Sequence, residues 1–155
     1  MGSLCMAFGI CLGGYYMGHK FCVRFVESQN LADKHLYLVR LYDIWMMAKQ
    51  NNISIVNYLM NKGIRSIAIY GMSYMGIRLF HELKEGKVCV KYGIDRNPKM
   101  RIPELEIYHP NEIKDKEVDA VLVTAIFSFD SIKRDLNEKG FKKILALDEI
   151  LYDLI

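Results

Sequence analysis

Predominantly apolar runs, each bounded by polar or glycine-containing turns, recur through the second half of the chain. Four of them cover residues 67–70, 88–94, 118–126 and 143–147. A strand of a parallel sheet is buried on both faces, so it reads as a continuous apolar run and not as an alternation. The pattern therefore predicts four such strands, and an irregular stretch over 102–108 predicts a brief additional one between the second and third runs.

Stretches with helical character follow the first, third and fourth runs. They predict helices over 74–85 and 129–139 and a short last helix over 149–154, with Asp148 as its cap. Strands that alternate with helices through short connections imply right-handed crossovers. The expected architecture is thus an α/β fold with a five-stranded parallel sheet in the order 3-2-1-4-5, the Rossmann-like arrangement.

The segment 67–76 is an apolar strand that runs through a glycine turn directly into a helix. Gly71 permits the tight turn, and the free amides at the start of the helix would face a phosphate. Ser73 stands where the full G-x-G-x-x-G pattern has its middle glycine, and Gly76 fills the last position. The Ser73 hydroxyl would either contact a phosphate or cap the helix. Met72 and Tyr74 complete the predicted contact segment.

Asp95 follows the second strand and lies 24 residues after Gly71. In dinucleotide folds an acidic residue at about this separation binds the ribose hydroxyls. The alternative is that residues 95–98 form only a polar turn. Arg96 is a candidate partner for a phosphate, and Thr124, at the end of the fourth strand, is expected to face the same crevice beside Gly71.

The segments 67–76, 92–95, 118–124 and 140–150 together resemble the small Rossmann-like domains of bacterial surface-polysaccharide biosynthesis proteins. They are also similar to the amino-terminal domain of nucleotide-sugar acyltransferases, and the resemblance covers residues 64–152. It implies that Gly71, Ser73, Gly76 and Asp95 hold a uridine nucleotide-sugar. It implies binding and not catalysis, because no repeat of the acyltransferase β-helix occurs in this sequence.

The first 18 residues contain no charged side chain, and five of the eleven glycines fall there. The run is just long enough to be a candidate membrane-spanning helix. Positive charge begins only at His19 and Lys20, which would leave the remaining chain in the cytoplasm under the positive-inside rule. The predicted anchor occupies residues 1–26, with 1–18 in the cell membrane; the alternative is a helix buried in protein or in an oligomer.

Apolar residues recur near a 3.6-residue period over 31–50, and a second helical stretch covers 54–61. The two predict a helical hairpin over residues 27–63 that covers the sheet or pairs with another subunit in a homo-oligomer. Residues 64–155 then form the Rossmann-like nucleotide-binding domain.

Composition excludes several other classes. The net charge of +3 comes from interspersed charges of both signs, so no basic stripe indicates nucleic-acid binding. Cys5, Cys11, Cys22 and Cys89 show no metal-ligand spacing. No pattern of catalytic side chains is present. His109 follows a strand end and is expected to be a surface-loop histidine, the alternative being that it faces the crevice.

Two functions therefore remain open. The first is a membrane-tethered protein that binds a nucleotide or nucleotide-sugar in polysaccharide assembly. The second is a Rossmann-like interaction module without a ligand, which would be favoured if Met72, Tyr74 and Met75 filled the crevice above the first strand. A small NAD(P)-dependent oxidoreductase is a weaker alternative, because neither a catalytic acid nor a second substrate-binding half is found.

Overall fold

The computed structural model describes residues 29–97, 102–113 and 117–155. The predicted anchor over residues 1–18 lies outside these ranges. The described chain divides after Asp43, and Ile44–Ile155 forms one compact unit. Within the described ranges no helix combines the length and the apolar character needed to cross a membrane.

Five parallel strands form one sheet in the order β3-β2-β1-β4-β5, which confirms the predicted topology. The strands are β1 (Ser66–Tyr70), β2 (Cys89–Ile94), β3 (Ile107–Tyr108), β4 (Ala120–Val123) and β5 (Ile144–Ala146). The helices are α1 (29–50), α2 (Ile55–Asn61), α3 (Tyr74–Leu83), α4 (Phe129–Glu138) and α5 (Leu147–Asp153).

Three elements differ clearly from their predicted bounds, and the first is β3, which covers only Ile107–Tyr108 of the predicted stretch 102–108. The apolar run over 118–126 supplies only four strand residues. Thr124 N still donates to Tyr70 O at 2.9 Å, but the chain then turns into a 3-10 segment, Ile126–Ser128. Helix α5 begins at Leu147, so Asp148 lies in its first turn and does not cap it. A carboxylate in that turn still interacts favourably with the helix dipole.

The two faces of the sheet carry different helices. The crossover from β1 to β2 runs toward one edge and the crossover from β4 to β5 toward the other, so right-handed connections place α3 and α4 on opposite faces. The α4 face buries alternate strand residues against that helix. This cluster comprises Ala68, Tyr70, Tyr92, Ile94, Val121, Val123, Ile132, Leu136, Phe141 and Ile144.

A polar contact joins the end of α1 to α3 within the unit Ile44–Ile155. Trp45 Nε1 donates a hydrogen bond to Glu82 Oε2 at 2.7 Å. Lys49 Nζ lies 3.5 Å from Glu82 Oε1, and the Glu82 side chain is only 8% exposed. A buried carboxylate is costly without such partners, so the contact fixes these helices to each other.

Candidate functional site

The turn after β1 is built around a glycine in the left-handed region. Gly71 has φ +95°, and its amide donates to Ile94 O at 2.8 Å. A β-carbon at this position would lie 2.7 Å from Thr124 Oγ1 and 3.2 Å from Ala125 N. Conformation and space therefore both require glycine here, as the sequence pattern predicts.

Gly76 lets the first turn of α3 pack directly on this turn. A β-carbon on Gly76 would lie 2.0 Å from Gly71 O, a separation that real side chains do not show. This is the close helix packing that the last glycine of the dinucleotide pattern serves. The amides of the first turn of α3 are thereby held beside the end of β1.

Ser73 occupies the N-cap position of α3 without capping it. Its backbone is extended, with φ −78° and ψ −165°, and its side chain makes no capping hydrogen bond. The side chain is exposed, and the first turn of α3 contains no acidic residue. The positive end of the helix dipole is therefore not neutralised from within the helix. The Ser73 hydroxyl was expected either to contact a phosphate or to cap the helix, and the structure does not show the cap.

Asp95 connects the end of β2 to the glycine turn. Its Oδ2 accepts a hydrogen bond from Met72 N at 2.7 Å, and its Oδ1 accepts one from Asn97 N at 2.8 Å. The residue is half-buried. Each carboxylate oxygen can accept more than one hydrogen bond, so the group is fixed in direction and retains acceptor capacity. The Met72 amide is already engaged, which leaves the amides further along the turn for an anion.

Thr124 links the end of β4 to the same turn by hydrogen bonds. Its hydroxyl lies 2.5 Å from Gly71 O and 3.2 Å from Tyr70 O, and donates toward these two carbonyls. The residue is 5% exposed. The predicted position beside Gly71 is therefore the observed one, while a contact between Thr124 and a ligand stays a prediction.

The bulky residues of the turn lie in different environments. Met72 is 2% exposed and packs on Gly93, where a β-carbon would lie 2.9 Å from Met72 Cγ. Met75 is buried in α3, whereas Tyr74 is 75% exposed. Gly93 is a site-forming residue that the sequence analysis missed; a glycine inside an apolar strand is itself a signal of close packing.

A cleft of about 460 Å³ lies on the α4 face, next to the Asp95 turn. Tyr70 of β1, Arg96 and the turn at His109 and Asn111 line it together with α4. The remaining lining residues are Pro110, Asp135, Leu136, Glu138 and Lys139. Nothing in the sequence marks Tyr70 as different from a core residue of its strand. His109 lies in a loop and is partly exposed, as predicted, and it also lines this cleft.

No group of three or more His, Cys, Asp and Glu side chains suited to a metal ion occurs in the part of the chain that the structure describes.

Comparison with known proteins gives a regulatory relative. The chain is 30% identical over 104 residues to the redox-sensing transcriptional repressor Rex of Streptococcus pneumoniae, with the same figures for strains Hungary19A-6, CGSP14 and 70585. The match covers 59% of this chain and 49% of each of those proteins. This chain thus spans about half the length of the curated relatives it matches. No family model and no solved structure matches it.

The sheet order is that of a Rossmann-like fold, and the likeness to these relatives agrees with it. The names of these relatives concern redox sensing and transcription. They give no support to a role in polysaccharide biosynthesis or to a membrane tether.

Proposed function

We propose that this chain is a nucleotide-binding domain whose ligand is NAD(H), and that it responds to the oxidation state of that ligand. One observation carries the proposal: the Asp95 carboxylate is hydrogen-bonded to the glycine turn, beside the uncapped start of α3. The relatives are named for redox sensing. Redox sensing needs a ligand with two oxidation states, and the nicotinamide dinucleotides are nucleotides of that kind that suit a Rossmann-like turn.

Each part of the site has a role in this proposal. The amides of the first turn of α3 bind the pyrophosphate, since the helix dipole favours an anion there. Asp95 accepts hydrogen bonds from the ribose hydroxyls with the capacity that its two backbone donors leave. Gly71 and Gly76 keep the backbone close enough for both contacts. These groups bind and orient a ligand, and the proposal gives the chain no catalytic step.

A nucleotide-sugar remains the second candidate, and Ser73 is the observation that favours it. A serine in place of the middle glycine brings a side chain toward the pyrophosphate position, and this hydroxyl is exposed and does not cap the helix. In this version the ligand is a UDP-sugar, and the chain is a membrane-tethered component of polysaccharide assembly. The resemblance described above supports it, whereas the relatives' names do not.

The ligand-free interaction module is less well supported. It would require bulky side chains above β1, but Met72 packs on Gly93 and Tyr74 is exposed. Because the relatives are named as transcriptional repressors, DNA binding is a further function to consider for this chain. The interspersed charges and the net charge of +3 favour a nucleotide-sensing role for this chain over a DNA-contacting one.

Calorimetric titration of the full chain with NAD⁺, NADH, NADP⁺ and UDP-glucose tests the proposal. We expect NAD⁺ and NADH to bind with different Kd values and UDP-glucose to bind more weakly than either. Asp95→Asn keeps the size of the side chain and removes its charge, so it should weaken NAD(H) binding about 10- to 100-fold. Asp33→Asn, at an exposed acid of α1, is the matched control and should leave the Kd unchanged.

Tight binding of UDP-glucose with no heat from the dinucleotides would instead favour the nucleotide-sugar. If a folded sample bound none of the four, as judged alongside circular dichroism, both nucleotide proposals would be abandoned.

A further inference from the structure

Helix α3 is fixed near both of its ends. At its start, Gly76 packs directly on the turn after β1. Near its end, Glu82 Oε2 accepts the hydrogen bond from Trp45 Nε1 at 2.7 Å. At about 1.5 Å per residue, Glu82 lies about 12 Å along the helix axis from Tyr74, the first residue of α3. One short element therefore joins the proposed pyrophosphate site to the end of α1.

The Glu82 carboxylate is an unfavourable group to bury at this position. Its side chain is only 8% exposed, and its Oε1 makes no hydrogen bond among the described residues. The ion-pair partner of that oxygen, Lys49 Nζ, lies 3.5 Å away on a side chain that is 52% exposed. A negative charge near the end of a helix also opposes the helix dipole. Apolar residues of similar size often stabilise a fold as well as a buried ion pair does, so stability alone does not account for an acid here.

The hydrogen bond to Glu82 fixes the position of α3 in a way that apolar packing does not. Apolar contact is non-directional, whereas a hydrogen bond to a charged group is short and directional. A second polar contact at this end of α3 joins Lys84 Nζ to Glu104 Oε2 at 3.3 Å, but it is exposed, and exposed ion pairs contribute little. The bond from Trp45 is thus the better candidate for the contact that sets the position of α3.

We propose that Glu82 is a positioning residue for the nucleotide site, and that its contact with Trp45 and Lys49 couples this site to α1. This inference rests on the proposed function. The contact holds α3 where its first amides meet the pyrophosphate, so the ligand has less ordering to impose. Coupling between two sites is reciprocal. A bound nucleotide therefore tightens residues 44–50 of α1, and α1 becomes the element that carries the effect of the ligand away from the sheet.

Calorimetric titration of the full chain with NADH tests the positioning role. Glu82→Met removes the acceptor and Trp45→Phe removes the donor, so each variant should bind NADH about 5-fold more weakly than wild type. The double variant should also lose about 5-fold and not about 25-fold, because the two residues act through one bond. Loss of a negative charge would by itself favour an anionic ligand, so weaker binding in Glu82→Met cannot come from the charge.

Three further variants separate positioning from charge and from stability, and circular dichroism confirms that each is folded. Glu82→Gln also lacks the charge but keeps an oxygen that accepts from the indole, so it should bind NADH within about 2-fold of wild type. Glu104→Gln removes the exposed ion pair at the same end of α3 and should leave the Kd unchanged. Asp119→Asn removes a carboxylate that accepts from two backbone amides at the far end of β1 from the glycine turn, and it should lower stability without changing the Kd.

Amide hydrogen exchange tests the reciprocal effect on α1. Any ligand that binds the folded state slows exchange generally, and α5, a helix of the same unit, reports this general effect. Saturation with NADH should slow exchange over residues 44–50 about 5-fold more than over α5. In Glu82→Met this additional protection should disappear.

The possible failures distinguish the two proposals. If NADH binds and Asp95→Asn weakens its binding, but Glu82→Met and Trp45→Phe leave the Kd within about 2-fold of wild type, the coupling is wrong and the proposed function stands. Equal protection of α1 and α5 by NADH would also overturn the coupling, since linkage acts in both directions. If wild type binds neither NAD⁺ nor NADH, the proposed function fails and the coupling fails with it.

Discussion

The close approach of α3 to the turn after β1 makes Gly76 the most demanding position of the site. In Gly76→Ala the new methyl carbon would lie 2.0 Å from Gly71 O, about 1.4 Å short of the 3.4 Å at which ordinary contact begins. The neighbour is a backbone oxygen that also accepts the Thr124 hydroxyl, so it cannot rotate aside. Relief requires α3 to move, which disturbs its buried residues Met75 and Leu79.

Overpacking of this kind costs about 1–3 kcal/mol and occasionally more. The higher helix propensity of alanine offsets at most about 1 kcal/mol of this cost. A separation of 2.0 Å from a backbone oxygen places this clash at the upper end of that range or above it, so we expect Gly76→Ala to lower the free energy of unfolding by about 2–3 kcal/mol, measured by urea titration followed by circular dichroism.

Gly63→Ala separates crowding from backbone strain. Gly63 has φ +74°, and nothing lies within 4 Å of a β-carbon there. Gly63→Ala should lower the free energy of unfolding by only about 1–2 kcal/mol, which is the cost of a left-handed conformation for a residue with a side chain. If Gly76→Ala proved neutral or stabilising while Gly63→Ala lost stability as expected, the close packing of α3 on the turn would be refuted.

Three further expectations concern stability and are measured by the same urea titration. Two backbone N–H groups at the start of β1 hold the pKa of Asp119 below its ordinary value of 3.8. The stability that this carboxylate contributes is therefore complete above about pH 5 and is lost as the pH falls through the lowered pKa. The loss of unfolding free energy in Asp119→Asn should accordingly be smaller at pH 3 than at pH 7. Thr124→Val should cost about 1–2 kcal/mol and Thr124→Ser less, because only serine keeps the hydroxyl that donates to the turn. Trp45→Phe removes the indole donor of the buried Glu82 carboxylate and should cost about 1–3 kcal/mol. A loss well below about 1 kcal/mol would argue against that bond.

The sheet order could be predicted because both faces of the sheet are covered, which gives continuous apolar runs. The same rule overestimated the length of β4. Apolar runs report burial and not backbone conformation, and the chain stays buried at Thr124 and Ile126 after the strand has ended. The third strand is limited to Ile107–Tyr108 because residues 102–105 form a turn that is closed by a hydrogen bond from Leu105 N to Ile102 O at 3.1 Å.

The glycines of the site were predictable from local chemistry, but its side-chain contacts were not. Gly71 and Gly76 follow a known spacing. The bond from Met72 N to Asp95 joins two turns that are 23 positions apart, and the place of Tyr70 in a cleft depends on α4. The motif also could not predict which class of nucleotide binds, since glycine turns of this kind occur in sites for several nucleotides.

The Trp45–Glu82 bond also gives the protein an internal optical reporter. Trp45 is the single tryptophan of the chain. Its indole is bonded to the last turn of the helix whose first turn we assign to the pyrophosphate. A displacement of α3 on ligand binding would change the surroundings of one identifiable fluorophore, so occupancy could be followed by emission from unlabelled protein, without any signal to subtract from a second indole.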